Sequence, residues 1–184
     1  MINEIFNDVR DRMNKAIGYY RHEVSSIRTG RASTSILDGI KVDYYGTPTP
    51  LNNIAHVTAP EGQLIVIQPF DPNSIEIIEK SIIASDVGLT PNNDGNVIRL
   101  SIPSLTEERR KELIKVVHKI IEEGRVALRN IRRDANDNLK KHEKEHDLSE
   151  DNLKRAMDNI QEMTDDHIKE FNMLQDSKEK EIMD

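Results

Sequence analysis

Apolar residues recur every three or four positions at the start of the chain: Ile2, Ile5, Phe6, Val9, Met13, Ala16, Ile17, Tyr20, Val24 and Ile27. This spacing draws one stripe along a helix for about seven turns. The stripe stops at Thr29-Gly30, where glycine suits a left-handed C′ position, so the first helix is expected to end there. A second helix opens at Leu105-Thr106-Glu107-Glu108, with Thr106 placed as N-cap and two acids where the helix dipole favours them. Its stripe reads Leu113, Val117, Ile120, Gly124, Leu128, Ile131, Ala135 and Leu139. From Thr106 to about His146 this makes some 40 residues, or ~60 Å of helix. A third helix starts at Ser149, with Glu150 and Asp151 in its first turn. Its apolar positions are Leu153, Ala156, Met157, Ile160, Met163, Ile168, Phe171 and Leu174. The join at Leu148-Ser149 is short, and short joins make antiparallel neighbours. The three helices are expected to pack as an elongated bundle.

Between the first two helices the period changes. Ile40 to Tyr45 alternates with period two and predicts a strand, and Gly46-Thr47-Pro48-Thr49-Pro50 predicts a turn. Ile54–Ala59 and Gln63–Gln68 predict two short strands separated by Pro60-Glu61-Gly62. Asp71-Pro72 has the form of an N-cap with proline at the first helical position. The helix it opens is expected to reach about Asp86, with Ile75, Ile78, Ile82 and Ile83 on one side. Asn92-Asn93-Asp94-Gly95 signals a hairpin turn, Val97–Ile102 a last strand, and Pro103 its end. The fold class is therefore α+β. Residues 1–30 and 105–184 form the bundle, and residues 31–104 form an inserted β/α/β domain. Two connections cross between them, near Gly30-Arg31 and Pro103-Ser104, and two neighbouring strands of chain can act as a hinge.

Composition narrows the class. The 184 residues include no Trp and no Cys, and 32% are charged. The cysteine count removes disulfides, thiol catalysis and thiolate metal sites. The longest apolar run, Leu64 to Ile67, is far below the ~20 residues of a membrane helix. The opening Met1-Ile2-Asn3-Glu4 has neither a basic nor an apolar leader region, so no secretory signal is expected. Net charge is −7, which argues against a generic basic nucleic-acid binder.

The total hides two basic blocks. Residues 1–31 carry six Lys or Arg against four acids, and residues 105–133 carry nine against five. Residues 32–104 carry three against eight, and residues 134–184 eight against sixteen. Local charge decides what a surface attracts within a Debye length of about 8 Å. On the second helix Arg125, Arg129 and Arg132 fall within about 60° of each other, roughly 110° from the apolar stripe, and Arg133 extends the group. No acid occurs between Glu123 and Asp134, and of these arginines Arg133 alone has an acid four residues on, at Asp137. Arg28 and Arg31 close the first helix, and Arg109-Arg110-Lys111 open the second, so a continuous basic area is possible. A guanidinium offers a planar fork of donors suited to phosphates. Spacing alone leaves a phosphate-binding face and a merely solvated face equally open.

Other motifs carry less. His142-Glu143-Lys144-Glu145-His146 matches H-E-x-x-H, whose two imidazoles can share a zinc ion. Here the flanks are charged, no third ligand is evident and no apolar shell fixes the rings, so the motif reads as an exposed mixed-charge face. There is no Gly-rich phosphate loop and no nucleophile elbow. Tyr44-Tyr45 with Pro48 and Pro50 reads as a strand packing into a hairpin turn ahead of a base-stacking platform. A coiled-coil adaptor is the alternative class. It would need an apolar face left over after the bundle forms.

Four stretches then converge: Arg28-Thr29-Gly30-Arg31-Ala32-Ser33, Tyr44-Tyr45-Gly46-Thr47-Pro48, Leu105 to Lys111, and Arg129-Asn130-Ile131-Arg132-Arg133-Asp134-Ala135-Asn136. In this order they resemble the bacterial ribosome recycling factor family, over the whole chain. The resemblance implies an L-shaped molecule with the outline of a tRNA, a three-helix bundle and a β/α/β domain on a hinge. It implies a cytoplasmic monomer without cofactor or enzymatic activity. Its partners would be the 70S ribosome after termination and elongation factor G, whose GTP hydrolysis splits the subunits and releases mRNA and deacylated tRNA. Carried over by motif, the residues at large-subunit rRNA are Arg28, Arg31, Arg109, Arg110, Arg129, Arg132 and Arg133, and the hinge is Thr29, Gly30, Arg31, Pro103 and Ser104. The family often has two prolines before Leu-Thr-Glu-Glu. Pro103-Ser104 has one ring fewer, which loosens that strand.

Overall fold

A computed structural model describes residues 1–184, which divide into two compact units. The first unit is Met1–Thr29 with Glu107–Asp184, and the second is Gly30–Thr106. The architecture is mixed α+β, and no helix is long and apolar enough to cross a membrane.

The first unit holds α1 (Ile2–Ser25), which the chain completes much later with two long helices. α1 buries Ile5, Val9, Met13, Ile17 and Val24. It ends at Ser25, short of the expected Thr29-Gly30. The hydroxyls of Ser25 and Ser26 donate to the carbonyls of His22 and Glu23, at 2.8 and 2.7 Å. Such back-bonding gives the backbone an alternative to further helix. Gly30 does adopt a left-handed φ of 72°, but as a turn outside the helix, and a Cβ there would lie 2.8 Å from Leu105 Cγ.

The second unit is built on β1 (Lys41–Tyr44), β2 (Thr47–Pro50), β3 (Ala55–Glu61), β4 (Leu64–Pro69), α2 (Ile75–Ile83), β5 (Pro91–Asn93) and β6 (Ile98–Ser101). β1 and β2 pair as an antiparallel hairpin, and the other strands form an antiparallel sheet in the order β3-β4-β6-β5. The stretch expected as a turn, Thr47 to Pro50, is thus strand β2. Its two prolines are tolerated because it is an edge strand, and Pro60 and Pro91 lie on the edge strands β3 and β5 for the same reason. The turn itself is Tyr45-Gly46, both at positive φ (50° and 81°), the primed geometry that matches strand twist. In β4, Ile65 and Ile67 face inward, and β6 contributes Ile98 and Leu100, all fully buried. Against them lies α2, with Asp71 accepting from Asn73 N (3.0 Å) just before it. α2 stops at Ile83 and not near Asp86, and Ile83 is exposed, so only Ile75, Ile78 and Ile82 form its inner face.

Returning to the first unit, α3 (Glu107–Lys144) and α4 (Glu150–Met183) complete the bundle. Ser149 caps α4 by accepting from Asn152 N. α3 ends at Lys144, two residues before His146, which takes a left-handed φ of 62°. Its core positions are those expected, except that Ile121 is buried where Ile120 was placed; Ile120 is half-buried. On α4, Thr164 occupies the core where Met163 was expected, and its hydroxyl donates to the Ile160 carbonyl at 2.7 Å. Lys178 and Ile182 extend the buried stripe beyond Leu174. Each fully buried Leu, Ile or Phe contributes about 1.5–3 kcal/mol.

Candidate nucleic-acid interface

The core spacing of α3 fixes what its flanks present. With Leu128 and Ile131 held inside, Arg125 and Arg132 emerge on the side of α4, and Arg129 and Arg133 fall further out. Arg125 Nη2 donates to Asn172 Oδ1 at 2.6 Å and to Gln175 Oε1 at 3.1 Å. Arg132 Nη1 donates to Gln161 Oε1 at 2.7 Å. Arg129 Nη2 reaches back to Glu122 Oε1 at 2.6 Å, and Arg125 Nη1 is 3.4 Å from the other oxygen. Glu122 is thus shared by two guanidiniums. The hydrogen bond from Arg129 is the larger cause that lowers its pKa below the usual carboxylate value. Arg133 is exposed and forms no ion pair.

The remaining arginines sit elsewhere. Arg109 pairs with Glu112 at 2.9 Å, and Arg110 donates to the Met183 carbonyl at the end of α4. Both stand at the start of α3, roughly 30 Å along its axis from Arg129. The arginines alone do not make the continuous area expected. Lys111, Lys115 and Lys119 bridge that distance: all three are exposed, at four-residue intervals on the side of Arg129 and Arg133. Because α1 ends at Ser25, Arg28 and Arg31 follow the helix and do not close it. Both are exposed, and Arg31 belongs to the second unit.

Acids of the bundle are engaged on the α1 side. Asp134 receives Arg12 at 2.8 Å, and Glu170 receives Arg21. On the α4 side, Glu179 accepts from His118, which holds its carboxyl below the usual range, and from Gln175 Nε2 at 2.9 Å. The α4 amides were not singled out from the sequence. Their signal was present: Gln161, Asn172 and Gln175 lie within about 60° of each other on a helix.

Two weaker motifs find their structural form. His146 lies past the end of α3, so it and His142 are not on successive turns of one helical face. His142 Nδ1 instead lies 3.5 Å from Asp147 Oδ2. The rings of Tyr44 and Tyr45 meet edge to face at 4.6 Å, and the Tyr45 hydroxyl donates to Asp71 at 3.1 Å. Those contacts are internal to the hairpin and its neighbour.

Comparison with known proteins gives a consistent result. The family model for the ribosome recycling factor matches residues 20–183. The ribosome-recycling factor of Syntrophomonas wolfei subsp. wolfei is 56% identical over 184 residues, and that of Bacillus subtilis (strain 168) is 48% identical over 184 residues; each alignment covers 100% of both chains. The solution structure of a ribosome recycling factor matches with a TM-score of 0.76 at 45% identity, covering 99% of this chain and 97% of that one. A second match has a TM-score of 0.64 at 47% identity over 100% of both chains. It comes from models of the T. thermophilus ribosome recycling factor and the E. coli elongation factor G bound to the E. coli post-termination complex.

Proposed function

The chain belongs to the ribosome recycling factor family, and on that premise we propose that it binds the post-termination 70S ribosome through the basic face of α3. With elongation factor G and GTP it then promotes subunit splitting and the release of mRNA and deacylated tRNA. The protein acts in the cytoplasm as a monomer and carries out no bond chemistry of its own. It needs no cofactor, and the energy comes from the partner's GTP hydrolysis.

The observation that carries the docking site is the state of the α3 arginines. Two of them meet only neutral partners on α4, one carboxylate of α3 is divided between Arg125 and Arg129, and Arg133 is unpaired. Such a face retains net positive charge in a chain whose net charge is −7. Phosphate contacts from Arg129, Arg132 and Arg133, joined by Arg109 and Arg110 on α3 and by Arg28 and Arg31 after α1, position the bundle on large-subunit rRNA without reading its sequence. The acidic remainder opposes adhesion anywhere else. Thr29, Gly30, Arg31, Pro103 and Ser104 serve as the hinge on which the inserted domain turns under elongation factor G. Thr29 Oγ1 donates to Glu181 at 2.8 Å and Ser104 Oγ accepts from Gln63 at 2.9 Å, so each connecting strand is anchored to the unit it leaves.

Co-sedimentation with post-termination ribosomes across a salt series tests this. Wild-type binding should saturate and weaken steeply with salt, because each phosphate contact releases counterions. Arg132→Ala should lower affinity roughly tenfold and reduce the log–log salt slope by about one, with the bundle still folded. Unchanged affinity in that variant would remove the rRNA face from α3.

A further inference from the structure

The seam between α3 and α4 is built differently from the seams that α1 makes. Where α1 sends out arginines, it meets carboxylates: Arg12 on Asp134 and Arg21 on Glu170. Where α3 sends arginines to α4, it meets amides: Arg125 on Asn172 and Gln175, Arg132 on Gln161. This is not for want of acids, since the chain from Asp134 onward holds sixteen of them. Two of those acids stand directly behind the amides. Gln161 Nε2 donates to Asp165 Oδ1 at 2.8 Å, and Gln175 Nε2 donates to Glu179 Oε1 at 2.9 Å. Each glutamine is therefore held by its NH2 group, with its carbonyl oxygen turned to the guanidinium. The carboxylate is kept one residue's length away from the arginine it would otherwise neutralise.

The chemistry of that arrangement is specific. A guanidinium has five N–H donors, and an amide oxygen engages one or two while leaving the positive charge intact. A carboxylate in the same place would take two donors in a fork and cancel the charge. An unanchored arginine would keep its charge but lose side-chain entropy on binding, about 2 kcal/mol at most for so long a chain. The amide gives the third option: a fixed guanidinium that is still a cation.

We infer that Gln161, Asn172 and Gln175 are positioning residues for RNA binding, a neutral row on α4 that aims Arg132 and Arg125 at phosphates without discharging them. This rests on the reading of α3 as the ribosome-binding face and adds a second helix to it. It also predicts a trade. Replacing an amide by the isosteric acid gains a salt bridge to the arginine but loses the NH2 bond and sets two carboxylates together, so binding weakens with little net gain to the fold.

The test uses the full-length protein as Gln161→Glu, Gln161→Leu and Arg132→Ala, each in thermal melts and in co-sedimentation with post-termination ribosomes over a salt series. Gln161→Glu should stay folded, the new salt bridge to Arg132 being set against the lost hydrogen bond to Asp165. It should bind roughly tenfold more weakly, with a salt slope smaller by about one, because one guanidinium no longer releases a counterion. Gln161→Leu removes the anchor and leaves the charge, so affinity should fall about two- to threefold with the slope unchanged. A merely structural role would move the melting temperature and leave the slope alone. If Gln161→Glu does not fold, Gln161→Glu combined with Asp165→Asn removes the repelling carboxylate, carries the same expectation and decides the matter. Wild-type affinity and slope in a folded glutamate variant, beside a loss in Arg132→Ala, would overturn the amide row and leave the α3 face standing. Wild-type binding by Arg132→Ala would overturn both.

Discussion

Gly124 lies in the middle of a 38-residue helix, where glycine costs about 1 kcal/mol relative to alanine. A Cβ built there would sit 2.6, 2.9 and 3.1 Å from three ring atoms of Phe171. That ring is fully buried and packed edge to face with Tyr20, at 6.0 Å between centroids, so it has little room to retreat. Overpacking of this kind costs about 1–3 kcal/mol and outweighs the propensity gain. Gly124→Ala is therefore expected to lower stability in urea unfolding, and a stabilised variant would show that the ring yields. The glycine's place in the apolar stripe was legible in the sequence. Its reason was not, because the partner is on another helix. Lys178 escaped for a related cause. It reads as polar, yet its stem is buried and its ammonium lies 3.4 Å from Glu181.

Among the elements, the β5–β6 hairpin depends most on one ionised group. Asp94 Oδ1 accepts from the backbone of Asn96 and Val97, each at 2.9 Å, and Oδ2 pairs with Arg99. These contacts lower its pKa to about 2, with the Val97 N–H the largest cause, then the Arg99 guanidinium, then the Asn96 N–H. A carboxyl whose pKa falls on folding stabilises the folded form above its unfolded value, near 3.9. That contribution is lost as pH drops from about 4 through about 2. In unfolding measurements Asp94→Ala should be less stable than wild type at pH 6, and the gap should narrow as pH approaches 2. A gap that stays constant over that range would mean that Asp94 acts through its shape and not its charge. At this scale the sequence was most informative where a period was long. α3 at both ends and α4 at its start were legible to within a residue or two, whereas β2 was hidden because two prolines in four residues resemble a turn until an edge strand is known to be available.

For the molecule as a whole, the two units have separate cores. One is built on Ile65, Ile67, Ile78, Ile98 and Leu100, and the other on residues of α1, α3 and α4. Damage should stay where it is made. In Gly124→Ala, amide exchange should speed up through the bundle and leave β4 and β6 as slow as in wild type. Loss of protection in both would mean the two units unfold as one. The division was legible because the apolar period changes from helical to alternating and back. The arginines of the candidate site were legible from spacing as well. What they touch was not, since glutamine and asparagine on a distant helix carry no charge pattern to mark them.

The approach of Gly30 to Leu105 bears on how the chain is made. At roughly 5–20 residues per second, about four to sixteen seconds separate the synthesis of the end of α1 from that of the start of α3. Over that interval Val9, Met13 and Ile17 have no helical partner. The inserted unit is contiguous in sequence and can fold first. When it does, its entry and exit meet at Gly30 and Leu105. A flexible coil of that length would cost on the order of 4 kcal/mol to close. The folded insert bears this cost within its own fold and brings together the chain ends that lead to α1 and α3, so a helix separated in sequence from its partners docks as though it were a neighbour.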